Sequence, residues 1–107
     1  MTDAPQSSWL LYGAAGYTGR LVAAEAVAHG LRPTLAGRRA EELQAMGREL
    51  GLPVRVFGLG DNARLRRELV GFAAVLNCAG PFVWTSRPLL DACLAEGAHY
   101  LDVTGEI

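Results

Sequence analysis

With 107 residues, the chain is long enough for one domain and too short for two. Half of the residues are hydrophobic and a fifth are charged, as in a soluble globular protein, and the formal net charge is -1. This balance excludes the strongly basic surface of a nucleic-acid-binding protein, and we expect neither nucleic acid nor a membrane as a partner.

The first eight residues are polar and carry Asp3 where a secretory signal would carry basic residues. No apolar run approaches the roughly 18 residues needed to cross a bilayer. We therefore expect a cytoplasmic protein. Cys78 and Cys93 are the only cysteines and match no C-x-x-C or zinc spacing, so we expect two buried, reduced thiols and no metal site.

Short apolar runs alternate with segments of helical periodicity, which is typical of βαβ units and a parallel sheet. Strands are predicted at 9–12, 33–36, 53–57, 72–78 and 100–103. A helix is predicted between each strand and the next, from apolar residues at helical spacing. Right-handed crossovers then predict an α/β fold, namely a Rossmann-type doubly wound parallel sheet of about five strands in the order 3-2-1-4-5, with helices on both faces.

Polar residues mark the starts of two of these helices. Asp61 is predicted to cap the third helix. Thr85 or Ser86 is predicted to cap the fourth, which places Pro88 in the first turn of that helix.

The segment GAAGYTG at 13–19 joins the first strand to the first helix and is the strongest functional signal. Gly13 permits a tight turn, Gly16 lets backbone N–H groups approach a pyrophosphate, and Gly19 lets the helix pack close to the sheet. The helix N-terminus supplies N–H groups and partial positive charge, and the Thr18 hydroxyl beside Tyr17 can reach a phosphate oxygen. The segment predicts dinucleotide binding. The alternative is a tight turn that binds nothing.

Arg38 and Arg39 follow the second predicted strand, about 20 residues after the glycine-rich segment. A site for NAD usually has an acidic residue there to hold the ribose 2′-hydroxyl. A guanidinium group instead grips a 2′-phosphate through charge-assisted hydrogen bonds. The pair therefore predicts NADP as the cofactor, and the alternative is two solvated charges before a helix.

Three weaker positions follow other strands. Asp61 could accept a hydrogen bond from adenine, or it could only cap its helix. The loop at 77–82 leaves the fourth strand at the edge where such folds bind ligands, and Gly80 there could let the backbone pass close to a cofactor. Asp102, Thr104 and Glu106 could face a substrate or form a polar chain end.

Four ordered motifs now carry a family resemblance: GAAGYTGRLV at 13–22, AGRR at 36–39, NCAGPF at 77–82 and HYLDVTGE at 99–106. Together they resemble the N-terminal NADP-binding domain of saccharopine dehydrogenase-like oxidoreductases, a group that includes trans-acting enoyl reductases. The resemblance covers nearly the whole chain after residue 8. Residue reasoning and resemblance together predict a cofactor site comprising Gly13, Ala15, Gly16, Tyr17, Thr18, Gly19, Arg38, Arg39, Asp61, Asn77, Cys78, Ala79, Gly80 and Pro81.

The resemblance implies the cofactor half of an NADP(H)-dependent oxidoreductase. Members of the group are several hundred residues long, and their second domain carries much of the substrate site. We therefore expect residues 1–107 to be one dinucleotide-binding domain of a longer protein, inactive alone, whose small-molecule substrate and catalytic residues the sequence does not identify. The fifth strand would then have an exposed edge, which favours a homodimer. The alternatives are an NADP-binding sensor without turnover and a scaffold with an empty glycine loop.

Overall fold

The computed structural model describes residues 8–103, so Thr104 and Glu106 lie outside the described residues. Strands and helices alternate as the sequence predicts. The strands are β1 (Trp9–Tyr12), β2 (Thr34–Gly37), β3 (Val54–Val56), β4 (Ala74–Asn77) and β5 (His99–Asp102). The helices are α1 (Tyr17–Ala28), α2 (Ala40–Leu50), α3 (Asn62–Leu69) and α4 (Phe82–Glu96).

The strands form one parallel sheet in the order β3-β2-β1-β4-β5, which confirms the predicted topology. β1 is the central strand: Leu11 pairs with Leu35 of β2 on one side and with Leu76 of β4 on the other. The strand order changes direction at β1, so the carboxyl ends of β1, β2 and β4 flank the switch point where doubly wound sheets bind ligands.

The sheet separates two hydrophobic cores. Successive side chains of a strand point to opposite faces, so Leu10 and Tyr12 pack with residues of α3 and α4, while Leu11 packs with residues of α1 and α2. All three side chains are buried. Burial on both faces explains why β1 is a continuous apolar run rather than an alternating one.

The predicted start of the fourth helix is wrong, whereas that of the third is confirmed. The Asp61 carboxylate accepts a hydrogen bond from the backbone N–H of Arg64 at 3.1 Å and caps α3. α4, however, begins at Phe82, so Thr85 lies in its first turn and Pro88 lies in its second. The Thr85 hydroxyl donates to the carbonyl oxygen of Ala79 at 2.7 Å, so it serves a contact with the preceding loop instead of a helix cap.

β5 lies at one edge of the sheet, and within residues 8–103 no strand pairs with its outer side. None of the helices in this part of the chain is long and apolar enough to cross a membrane.

Candidate functional site

A cleft of about 440 Å³ opens at the carboxyl ends of β1, β2 and β4. We call it the main cleft. Its walls come from three segments that follow these strands: the glycine-rich loop, the arginine pair and the loop after β4. The lining residues are Tyr12, Gly13, Ala15, Gly16, Tyr17, Thr18, Gly37, Arg38, Arg39, Cys78, Ala79 and Gly80.

The glycine-rich loop requires glycine at two positions for reasons internal to the fold. Gly13 has a φ of +79°, and a Cβ on it would lie 2.6 Å from the backbone nitrogen of Ala79. A Cβ on Gly19 would lie only 2.2 Å from the carbonyl oxygen of Gly13, because α1 packs directly against the turn. At Gly16, by contrast, the nearest atom would be 3.5 Å away. The fold itself therefore does not require glycine at 16, and this position faces the main cleft.

The N-terminus of α1 is open towards the main cleft. Gly16 is the N-cap residue, no side chain caps the helix, and its first turn contains no acidic residue. The first backbone N–H groups of a helix lack partners within it, and the helix dipole adds partial positive charge there. Arg20 stabilises the glycine-rich loop, because its Nε donates to the carbonyl oxygen of Ala15 at 2.9 Å. This end of α1 can therefore bind an anion.

Arg38 and Arg39 add positive charge to the opposite wall. Both side chains are exposed, and Arg38 lies along Gly58, where a Cβ would be 3.6 Å from the arginine Cδ. The guanidinium of Arg39 reaches back towards the glycine loop: its Nη2 lies 3.8 Å from the Cβ position of Gly16. The Nη1 of Arg39 is 3.9 Å from the carboxylate of Glu42, and this ion pair is long and exposed. No described residue that lines the main cleft is acidic, so the cleft has a positive electrostatic character.

Asn77 holds the loop after β4 without lining the main cleft. Its side chain is fully buried, and its Oδ1 accepts from the backbone N–H of Ala79 at 2.9 Å. Its Nδ2 donates to the hydroxyl of Thr85 at 3.0 Å, and that hydroxyl donates to the Ala79 carbonyl oxygen. Both backbone polar groups of Ala79 are thus fixed by side chains. Asn77 was predicted as a cofactor contact, whereas the structure gives it a supporting position.

The same network continues to β5. The Tyr100 hydroxyl accepts from Nδ2 of Asn77 at 3.1 Å and donates to Asp102 at 2.9 Å. Burial raises the pKa of Tyr100 to about 12, so the phenol stays protonated at neutral pH. The hydrogen-bond network therefore connects the end of β4 to β5.

Two further groups on the cleft wall are neutral. The Tyr12 hydroxyl donates to the carbonyl oxygen of Phe57 at 2.9 Å, and burial raises its pKa, although the charge of Arg38 opposes the shift. Burial raises the pKa of Cys78 to about 11, and that of Cys93 likewise. Both cysteines are buried and free, as expected from the sequence. Cys78 therefore presents a thiol rather than a reactive thiolate to the cleft.

A second cavity of about 320 Å³ lies beside the main cleft, between the loop after β3 and the start of α4. It is lined by Tyr12, Arg38, Leu59, Gly60, Ala79, Gly80, Pro81, Trp84, Thr85 and Pro88. Six of these were not identified as site residues by sequence reasoning, namely Tyr12, Leu59, Gly60, Trp84, Thr85 and Pro88. The signal that was available is Trp84, a large aromatic residue in the segment that the sequence analysis placed between the fourth strand and the fourth helix.

The structure brings most of the predicted site residues together and separates four. The main cleft collects Gly13, Ala15, Gly16, Tyr17, Thr18, Arg38, Arg39, Cys78, Ala79 and Gly80. Of the other four, Gly19 permits helix packing, Asn77 supports the loop, and Pro81 lines only the second cavity. Asp61 caps α3 and lines neither cavity. Residues 8–103 contain no cluster of three potential metal-ligating side chains.

Comparison with known proteins identifies the family of the chain. The family model for the saccharopine dehydrogenase NADP-binding domain matches residues 9–106. A saccharopine dehydrogenase-like oxidoreductase from Homo sapiens is 28% identical, over 91% of this chain and 27% of the relative. A trans-acting enoyl reductase from Mycobacterium tuberculosis is 34% identical, over 92% of this chain and 25% of the relative. The chain thus spans about a quarter of the length of these curated relatives.

Among solved structures, saccharopine dehydrogenase (L-Glu forming) from Saccharomyces cerevisiae superposes with a TM-score of 0.79. The match is 18% identical and covers 94% of this chain and 22% of the other, so it shows a shared fold. The cofactor predicted from Arg38 and Arg39 is the one that the family description names. The chain belongs to the saccharopine dehydrogenase NADP-binding domain family.

Proposed function

We propose that this chain binds NADP(H) in the main cleft and holds the cofactor for hydride transfer in a saccharopine dehydrogenase-like oxidoreductase. The observation that carries the proposal is the pairing of an open helix N-terminus with two arginines across a cleft that no described acidic residue lines. Membership of the family supports the choice of cofactor.

In this proposal the glycine loop binds the pyrophosphate. The backbone N–H groups of Tyr17 and Thr18 open α1 and donate to phosphate oxygens, and the helix dipole stabilises their negative charge. Gly16 leaves space for this approach because it places no Cβ in the cleft.

Arg38 and Arg39 select NADP(H) over NAD(H) by binding the 2′-phosphate. A guanidinium is always protonated in a protein and presents paired donors to phosphate oxygens. An acidic residue, which would repel this phosphate, is missing from the cleft lining among the described residues.

The loop after β4 supports the reacting end of the cofactor. When it is bound, NADPH supplies a hydride, and the protein's task is to orient it and to exclude competing reactions. Ala79 and Gly80 present their backbone to the cleft, and Asn77 and Thr85 keep Ala79 in place.

The substrate and the groups that move protons come from outside these residues in our proposal. Tyr12 and Cys78 stay neutral and hydrogen-bonded or buried, so neither is a suitable acid or base near pH 7. Because the chain spans about a quarter of its curated relatives, we propose that it is the cofactor-holding part of a larger oxidoreductase with a separate substrate region. Its cytoplasmic location stays a prediction.

Calorimetric titration with NADPH and, separately, NADH tests the proposal. Charge-assisted hydrogen bonds contribute about 1.5–3 kcal/mol each. Replacing Arg38 or Arg39 with Ala is therefore expected to weaken NADPH binding about 10- to 150-fold and to leave NADH binding nearly unchanged. Arg48→Ala is the matched control, since Arg48 is exposed near the far end of α2 and lines neither cavity.

Equal affinity for NADPH and NADH in the unmodified chain would contradict the role of the arginines. Absence of binding to both nucleotides would contradict the cofactor site itself. An equal loss in Arg48→Ala would show that net charge, rather than position, governs the affinity.

A further inference from the structure

A chain of hydrogen bonds connects the end of β5 to the loop after β4. The Tyr100 hydroxyl donates to the Asp102 carboxylate at 2.9 Å and accepts from Nδ2 of Asn77 at 3.1 Å. Nδ2 of Asn77 also donates to the Thr85 hydroxyl at 3.0 Å, and its Oδ1 accepts from the backbone N–H of Ala79 at 2.9 Å. The Thr85 hydroxyl donates to the carbonyl oxygen of Ala79 at 2.7 Å. The hydrogen bonds therefore run from the Asp102 carboxylate to the backbone of Ala79.

The groups at the two ends of this chain fix the direction of its hydrogen bonds. A carboxylate only accepts, so the single proton of the Tyr100 hydroxyl points to Asp102 and the tyrosine oxygen accepts from Asn77. The Thr85 hydroxyl uses its proton on a carbonyl oxygen of the loop, so it too accepts from Asn77. Both acceptors face one end of the Asn77 amide. That end must therefore be the NH2 group, and the amide oxygen is turned towards the N–H of Ala79.

Burial makes the reverse orientation of Asn77 costly. Its side chain is fully buried, so a lost partner would leave a buried polar group unsatisfied. A reversed amide would place its NH2 group against the N–H of Ala79 and its oxygen against two hydroxyl oxygens whose protons are used elsewhere. Tyr100 can accept from the NH2 group because Asp102 accepts the tyrosine proton. These two residues of β5 thus select the orientation of Asn77.

The segment that Asn77 holds is a wall of the binding space. Ala79 lines both the main cleft and the second cavity. It also lies against the glycine-rich loop, since a Cβ on Gly13 would be 2.6 Å from the backbone nitrogen of Ala79. Tyr100 and Asp102 line neither cavity, so any effect that they have on a ligand there is indirect.

We propose that Tyr100 and Asp102 are positioning residues: through Asn77 they hold the backbone of the loop after β4 in the place that the reacting end of the cofactor requires. The inference rests on the proposed function, in which this loop supports the nicotinamide while Arg38 and Arg39 bind the 2′-phosphate. Loss of the network should therefore weaken contacts with the nicotinamide half of NADPH and spare those with the adenosine half.

Three substitutions test this role by calorimetric titration. Tyr100→Phe and Asp102→Ala each remove one hydrogen bond that holds the loop, and a cofactor that must order the loop itself should bind more weakly. The loss of one such bond corresponds to NADPH binding that is about 2- to 13-fold weaker. Asp102→Asn keeps an oxygen that can accept from Tyr100 and should restore most of the affinity.

The comparison ligand is adenosine 2′,5′-bisphosphate, which contains the adenine and the 2′-phosphate but no nicotinamide. This probe should bind all three variants within about twofold of its affinity for the unmodified chain. The control variant is Leu101→Ala, which should bind both ligands normally. Leu101 lies between the two proposed residues on β5, but its side chain is exposed and lines neither cavity.

Hydrogen exchange measured by NMR gives a readout in the chain without a ligand. The amide of Ala79 should exchange faster in Tyr100→Phe, because its acceptor Asn77 is no longer held. The reference is the amide of Leu35, which donates to the carbonyl oxygen of Pro53 at 2.9 Å between β2 and β3. A general loss of stability would raise both exchange rates by the same factor, whereas the proposed role raises the ratio of the Ala79 rate to the Leu35 rate.

The outcomes separate this inference from the proposed function. If NADPH binding depends on Arg38 but is changed less than about twofold by Tyr100→Phe, the cofactor site stands and the positioning role is overturned. Equal losses for NADPH and the probe, or no recovery in Asp102→Asn, would overturn it as well. So would an unchanged ratio of exchange rates in Tyr100→Phe. If the unmodified chain binds neither NADPH nor the probe, both proposals fail.

Discussion

Gly16 and Gly19 of the glycine-rich segment should respond in opposite ways to the addition of one methyl group. A Cβ on Gly19 would lie 2.2 Å from the carbonyl oxygen of Gly13 and 2.7 Å from the Cα of Ala14, where real Cβ atoms stay at least 3.0 Å from other heavy atoms. The backbone of α1 at Gly19 and the backbone of the turn at Gly13 must therefore move apart by about 0.8 Å, and no flexible side chain can absorb this shift. A Cβ on Gly16 meets nothing closer than 3.5 Å.

The expected loss of stability follows from these distances. Overpacking costs about 1–3 kcal/mol, and contacts with rigid backbone on two atoms place Gly19→Ala at the upper end of that range. For a domain of this size, 1 kcal/mol corresponds to about 4–8 °C in Tm, so the variant should melt about 12–24 °C lower. Gly16 has a φ of −78° and a ψ of 175°, which alanine readily adopts. Gly16→Ala should therefore lose at most about 1 kcal/mol, the size of a weakened helix cap.

Binding should show the complementary pattern, because Gly16 faces the main cleft. The methyl group of Gly16→Ala occupies space that we assign to the pyrophosphate, so NADPH affinity should fall at least about tenfold in a protein that melts almost normally. Circular dichroism melts and calorimetric titration of the two variants measure both effects. A Gly19→Ala variant that melts within about 2 °C of the unmodified chain would refute the packing argument. Unchanged NADPH affinity in Gly16→Ala would refute the assignment of the pyrophosphate.

Three other predictions concern the loop, the thiols and the sheet edge. Thr85→Val leaves the Ala79 carbonyl oxygen without its hydroxyl donor and should destabilise the domain by about 1–3 kcal/mol, whereas Thr85→Ser should not. Urea titration measures the stability of both variants, and equal losses would contradict the hydrogen-bond argument. Burial raises the pKa values of Cys78 and Cys93 from 9.0 to about 11, so the folded chain binds more protons than the unfolded chain between these values. The contribution of the two protonated thiols to the stability of the fold is present below pH 9 and is lost as the pH rises towards 11. Tm should therefore fall across this interval, and it should fall by less in Cys93→Ser. The outer side of β5 should pair with a second copy of the chain at high concentration. Leu101→Lys, at a 55% exposed position, should keep the chain monomeric in light scattering, and a monomeric unmodified chain would contradict the prediction.

Much of the fold was predictable because local signals and tertiary structure agree. Asp61 caps α3 as its residue type predicts, and the apolar run of β1 reflects burial on both faces. The strand order followed from right-handed crossovers and a switch point at β1, and the sheet confirms it.

The start of α4 was not predictable by the same rules. Thr85 and Pro88 together resemble the cap and first turn of a helix, yet the helix begins at Phe82. The Thr85 hydroxyl binds Asn77 and the Ala79 carbonyl instead. Such partners become visible only when β4 and α4 are packed together, so propensity at the helix start cannot reveal them.

The candidate site, like the fold, was predictable only in part. The main cleft was predicted because each wall is one contiguous motif that follows a strand, such as the glycine loop or the arginine pair. The second cavity was missed because Leu59 comes from the loop after β3 and Trp84 from the first turn of α4, and neither belongs to a recognisable motif. Asn77 was assigned to the site for its position after β4; its buried side chain holds the loop, and its contact with the cofactor stays a prediction.

The double anchoring of Ala79 also makes the loop after β4 tolerant to redesign at its neighbour. Gly80 lines both cavities, its φ is not in the left-handed region, and a Cβ on it would meet no atom within 4 Å. The loop's path is held by Asn77 and Thr85 rather than by the residue at 80. Side chains of increasing size at Gly80 can therefore narrow or divide the space of the two cavities while the backbone keeps its course, which makes this position a natural starting point for changing the size of the ligand that they admit.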